Sequence, residues 1–217
     1  MIPTALWVSI RAALCATAIV SVTGIALGCL LAKGRFRGRG IVEALCSLPV
    51  GLPPTVVGYY LLTQLGGPGP VRDVSIALLG HPLVFTFTGI VIAQTVESFP
   101  YCLRATRAAV AGVDPRLEQA ARAIGLPEWR VLLQATLPLA RRGIVAGVAM
   151  AFGRALGDYG ATVAIAGGPG TGTMPIVLYN ATFDGSADLA RNLALIQVAV
   201  ALSILVGVSR LGNAKEW

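Results

Sequence analysis

Asp114-Pro115-Arg116-Leu117-Glu118-Gln119-Ala120-Ala121-Arg122-Ala123-Ile124-Gly125 is a water-soluble island in an apolar chain, and Leu137-Pro138 follows twelve residues after it. Asp then Pro is a helix start: an N-cap followed by a residue that needs no amide donor in the first turn. Leu117, Ala120, Ala121 and Ile124 recur at i, i+3, i+4 and i+7, which predicts one apolar face. Arg116, Gln119 and Arg122 fall largely on the other side. Gly125 is a natural C-terminal stop. Pro127 predicts a second short helix to about Gln134, and Pro138 a turn into the next apolar block. The first helix would be about 15 Å long. By residue chemistry alone it is either a linker between spans or a knob for a partner's groove.

Outward from this island the chain belongs in lipid. It has 217 residues, 55% hydrophobic and 12% charged, with mean hydropathy +0.75. Soluble domains carry about 25% charge. The 26 glycines and 13 prolines agree with membrane helices, where both are tolerated. About 20 apolar residues cross the hydrocarbon core. The expected spans are residues 12–32, 41–65, 83–110, 143–165 and 189–208, within one transmembrane domain over 1–217. Pro175 to Phe183 is too short to cross and is expected to be interfacial or re-entrant. The island lies in a loop over 112–140. No clear internal repeat is visible, which disfavours inverted-repeat secondary transporters.

The net charge of +7 does not indicate nucleic acid, because the cations cluster between spans. Thirteen fall on one side (Lys33, Arg35, Arg37, Arg39, Arg104, Arg107, Arg116, Arg122, Arg130, Arg141, Arg142, Arg210 and Lys215), against Arg11, Arg72, Arg154 and Arg191. The positive-inside rule then places the loop and the C-terminus in the cytoplasm and the N-terminus outside. The first basic cluster follows the apolar run, the wrong order for a cleaved signal. Cys15, Cys29, Cys46 and Cys102 have no metal-ligand spacing, and the lone His81 falls in a loop; free packing thiols and no metal site are expected. Gly167-Gly168-Pro169-Gly170 lacks the Lys-Ser/Thr of a phosphate loop, so no ATP hydrolysis is expected of this chain.

Within the spans, Pro53-Pro54 breaks regular helix, and Gly51 and Gly58 allow close approach. The pair is read as a packing kink or as pore lining. Arg154 and Asp158, four apart, can pair on one helix face. They are read as a neutralised pair, or as a site where Arg154 attracts an oxyanion or holds a gate. Glu97 has only Arg104 as a nearby partner and is assigned to packing or gating.

The island resembles the loop motif of ABC importer permeases: Glu-Ala-Ala, three residues, Gly, nine residues, Ile-x-Leu-Pro. Here it covers Gln119-Ala120-Ala121, Gly125, Ala135 and Leu137-Pro138. Gln119 stands where the motif has Glu, with Glu118 adjacent, and Ala135 where it has Ile. The run from Ser47 to Tyr59, containing Leu52-Pro53-Pro54-Thr55, resembles molybdate/tungstate permeases. So does Phe152-Gly153-Arg154-Ala155-Leu156-Gly157-Asp158-Tyr159-Gly160-Ala161-Thr162, where Asp158-Tyr159 replaces that subgroup's usual Glu-Phe.

The resemblance implies an all-α integral membrane protein with about five spans of the type I importer permease fold and a cytoplasmic coupling helix. It implies a non-catalytic subunit for an oxyanion, molybdate or tungstate first and sulfate or another solute second; a stand-alone channel or carrier is the reading from another class. The implied partners are a second copy, a cytoplasmic ATPase dimer that holds the ATP and magnesium, a periplasmic or surface-anchored binding protein, and lipid of the inner membrane. The implied ATPase-coupling residues are Glu118, Gln119, Ala120, Ala121, Arg122, Ile124, Gly125, Leu137 and Pro138. The pore or gate candidates are Pro53, Pro54, Gly58, Arg154, Asp158 and Thr162.

Overall fold

The computed structural model describes residues 2–34, 36–168 and 170–213, without the side chains of 205 and 208–213. Arg35, Pro169 and Lys215, and the side chain of Arg210, therefore lie outside it. All regular structure among the described residues is helical.

Helix α1 runs Ile2–Lys33, ten residues earlier than the expected span. Nothing after Pro3 interrupts it, and proline in a first turn costs no hydrogen bond. At about 1.5 Å per residue it reaches roughly 48 Å, more than the hydrocarbon thickness. One face is small: Ala5, Ser9, Ala12, Ala13, Ala16, Gly24 and Gly28 are all buried. Membrane helices have no strong hydrophobic drive toward each other, so small residues that let backbones approach supply the packing. A Cβ at Gly28 would lie 2.9 Å from the Thr106 side chain, which shows how closely α1 meets α5.

The expected second span, 41–65, is two helices. α2 is Arg39–Gly51 and α3 is Pro54–Gly66, bent by 109°. Pro53 and Pro54 remove two adjacent donors, and Leu52 is extended, as the residue before a proline prefers. The Gly/Pro-rich connection then contains a helix that was not anticipated, α4, Pro70–Leu79. Its signals are ordinary: proline in the first turn, Asp73 near the N-terminus, and Gly80 left-handed at φ 77° as the stop.

α5, Phe87–Ala111, starts at Thr86, whose hydroxyl accepts the Gly89 amide at 3.2 Å. It is the central helix, packed against α1 and α8, and Pro100 sits inside it without ending it. Its charges at Glu97, Arg104 and Arg107 are satisfied by neighbouring helices. A helix surrounded by protein need not be apolar all round. α6 is Pro115–Ala123 and α7 is Glu128–Val131.

The second loop helix does not stop near Gln134, and Pro138 makes no turn. The chain passes from α7 through a π-helical segment, Leu132–Thr136, into α8, Leu137–Leu156. In that segment the Leu137 amide donates to the Leu132 carbonyl, five residues back. One extra residue in the turn lets the helix absorb a proline whose ring would otherwise meet the preceding carbonyl. The expected span 143–165 is corrected accordingly: the long helix is Glu128–Leu156. Residues Gly157 to Tyr159 break it before the short α9, Gly160–Ile165.

α10, Met174–Phe183, is one short helix, and α11, Ala187–Asn213, closes the fold. Among the described residues α1, Glu128–Leu156 and Ala187–Ile204 are long and apolar enough to cross a membrane, and the bent α2–α3 pair is a fourth if taken as one span. The core lies where α1, α5 and α8 meet, around Ala12, Ala13, Ala16, Ile90, Val91, Ala155 and Leu156.

Candidate functional site

The polar loop is built from its caps. The Asp114 carboxylate accepts the Arg116 amide at 2.9 Å, and Pro115 opens α6. At the other end Gly125 has φ 85°. The Gly125 amide donates to Arg122 O at 2.9 Å and the Leu126 amide to Ala121 O at 3.3 Å. This double closure needs a left-handed residue after the helix, which glycine adopts without steric cost.

The apolar set of α6 points outward. Ile124 is 78% exposed and Leu117 49%; Ala120 is exposed and Ala121 half-buried. Gln119 and Arg116 are exposed as well. Nearby, Trp129 and Leu133 also present apolar surface to solvent. A folded chain leaves such a cluster uncovered where something else covers it.

Glu118 does the opposite. One of the expected ATPase-coupling residues, it is only 5% exposed and is the one buried side chain of α6. Its carboxylate meets Lys33 Nζ at 2.6 Å and accepts from Thr136 Oγ1 at 2.7 Å, with Arg122 at 3.8 Å. Burial pushes its pKa up, but the bonds from Lys33 and Thr136 and the charges of Lys33 and Arg122 outweigh that and hold it below the usual glutamate value. Glu118 is therefore ionised at neutral pH. Arg122 continues outward to Glu128, with Nε to Oε1 at 2.7 Å and Nη2 to Oε2 at 3.1 Å. That outer pair is solvent-facing and contributes little to stability. The Glu118–Thr136 bond ties the two halves of the loop motif together. Leu137 packs beside Ala140 and Val113, and Pro138 is exposed. A cavity of about 880 Å³ lies beside this contact, lined by Cys29, Lys33, Arg39, Glu118, Arg122 and Trp129 among others.

The other candidates converge on the breaks in the long helices. Pro54 opens α3 beside Gly160, where an added Cβ would lie 2.7 Å from the Pro54 side chain. At Gly58 an added Cβ would lie 3.0 Å from Ala161 and Ala164, so α3 sits directly on α9. Gly58→Val is expected to destabilise the purified protein by about 1–3 kcal/mol through overpacking. Gly51→Ala, where nothing lies within 4 Å, serves as the control. Equal melting midpoints for the two variants would refute this close contact.

Arg154, Asp158 and Thr162 do come together. Arg154 Nη1 donates to Asp158 Oδ1 at 3.0 Å, and Asp158 Oδ2 accepts the Thr162 amide at 3.0 Å. The Thr162 hydroxyl donates to Asp158 O at 2.8 Å. Sequence reasoning missed the third member: Arg154 Nη2 also pairs with Glu97, 57 residues away on α5. Arg104 is not the partner of Glu97; its Nε donates to Ser47 Oγ at 3.1 Å, and Arg107 pairs with Glu43. Arg154 thus lies between two carboxylates, Glu97 and Asp158. The triad joins α5, α8 and the start of α9. Helical periodicity carries no signal for a pair so distant in the chain. Among the described residues no group of three or more His, Cys, Asp or Glu is placed to hold a metal.

The family model of binding-protein-dependent transport system inner membrane components matches residues 24–211. The molybdenum transport system permease protein ModB of Escherichia coli K12 is 40% identical over 187 residues, covering 84% of this chain and 81% of that protein. The molybdate/tungstate transport system permease protein WtpB of Thermococcus kodakarensis is 32% identical over 192 residues, 88% of this chain and 71% of its own length. In fold, the chain superposes on the MetNI methionine ABC transporter in an inward-facing form with TM-score 0.79, covering 97% of this chain and 94% of that one at 16% identity. The chain belongs to the family of binding-protein-dependent transport system inner membrane components, and has the helical fold of an ABC transporter permease.

Proposed function

We propose that this chain is the permease subunit of an ATP-driven importer whose cargo is an oxyanion, molybdate or tungstate. The single observation that carries the coupling is α6, which holds its apolar residues Leu117 and Ile124 outward. The cargo assignment rests on the likeness to ModB and WtpB and on the Pro53-Pro54 and Arg154–Asp158 segments.

In this reading two copies enclose the path, with α3 and α9 at the helix breaks nearest to it. The N-terminus lies outside, and the loop and C-terminus in the cytoplasm. There α6, with Gln119, Ala120, Ala121, Ile124 and Gly125, seats in an ATPase that holds ATP and magnesium. A binding protein delivers the anion from outside, and cargo affinity resides mainly there. ATP-driven closure of the ATPase shifts the spans only if its states engage α6 differently.

Reconstitution in liposomes tests this directly. Uptake of labelled molybdate is expected only with the ATPase, the binding protein and ATP all present. ATP-independent uptake by this chain alone would make it a channel or a secondary carrier. Competition by sulfate, rather than tungstate, would reassign the cargo.

A further inference from the structure

A nine-residue helix is marginal in water without tertiary support, so what holds α6 decides where it sits. Its apolar residues give it no seat: Leu117 and Ile124 face outward, and no apolar side chain of α6 is buried. What is buried is one carboxylate. Glu118 reaches Lys33, the last residue of α1, at 2.6 Å and Thr136, in the π segment that opens into α8, at 2.7 Å. Arg122, 3.8 Å away, extends the contact to Glu128 on α7. Three elements therefore meet at one side chain, α6, α1 and the π segment, with α7 joined only through Arg122, and α1 and the α8 that follows the π segment are long helices of the core.

We infer that Glu118 is a positioning residue that fastens the partner-facing helix to α1 and α8, so that a displacement of α6 moves both long helices together. This rests on the permease reading above. A charge-assisted bond is stiffer and more directional than an apolar contact, so it transmits a displacement that a greasy seat would absorb by sliding. The π segment contributes geometry: its extra residue sets the register at which Thr136 faces Glu118.

The test uses the whole transporter, with ATPase and binding protein, in liposomes. Glu118→Gln, Lys33→Met and Thr136→Val are compared with wild type for ATPase co-purification, thermal unfolding and molybdate imported per ATP hydrolysed. Co-purification within about twofold of wild type is expected for Glu118→Gln, because the carboxylate faces away from the partner. The import-to-hydrolysis ratio is expected to fall at least tenfold, with smaller falls in the same direction for the other two. The exchanged pair Lys33→Glu/Glu118→Lys is expected to recover part of the ratio.

An unchanged ratio in Glu118→Gln overturns the inference. So does selective loss of co-purification, which would make Glu118 a direct contact. A uniform loss of stability, association and transport in every variant, with no recovery in the exchanged pair, reduces it to ordinary support and overturns it too. A wild-type chain that couples to no ATPase instead refutes the permease reading, before any variant is compared.

Discussion

Ile124→Asp is expected to strip the ATPase from the purified transporter while the helices stay assembled. Ile124 is 78% exposed in the last turn before Gly125, so the fold gains nothing from its side chain. A partner that covers it does. Exchanging a central apolar anchor for a carboxylate both loses the burial and desolvates a charge. Anchors of this kind contribute about 2 kcal/mol or more, roughly a thirtyfold weaker complex. Co-purification measures the first half of the prediction and thermal unfolding of the permease alone the second. Undiminished ATPase binding would remove α6 as the docking element. Gly125→Val is a poorer probe, because φ 85° strains any Cβ-bearing residue and would confuse local unfolding with lost contact.

The second large effect is expected at Arg154. Arg154→Met leaves Glu97 and Asp158, 2% and 1% exposed, without their shared cation. Breaking a buried ion pair from one side costs about 3–5 kcal/mol, because the remaining charge stays desolvated. For a chain of this length that lowers the melting midpoint by roughly 10 °C. Glu97→Gln should be much milder, since Arg154 keeps Asp158 and the Thr162 amide keeps its acceptor. Adding Glu97→Gln to Arg154→Met should recover part of the loss, a coupling that independent sites would not show. An Arg154→Met protein that melts with wild type would mean the triad is not what joins α5 to α8. Because Asp158 also accepts the Thr162 amide in the first turn of α9, import is expected to fall with stability here, whereas Ile124→Asp separates the two.

Local chemistry was legible and distant chemistry was not. The Asp114-Pro115 start and the Gly125 stop of α6 read directly from residue types, because a cap needs only its own turn. The α4 helix carried equally plain signals, yet glycines and prolines around it made it look like loop. The break at Pro53-Pro54 was readable, but its 109° angle was not, since two missing donors allow a bend without dictating how far it goes. Pro138 misled: the usual consequence of an interior proline is a stop, and here a π segment absorbs it.

By itself, the amino-acid sequence determined that this chain lives in a membrane and where a capped helix interrupts its apolar stretches. Those are properties of composition and of residues within a turn of each other. Only the tertiary structure decided which way Glu118 faces and which carboxylates share Arg154. Both depend on helices far apart in the chain arriving side by side, and α6 turned its one buried contact toward Lys33 and Thr136 because a carboxylate leaves water only where cations and donors replace it.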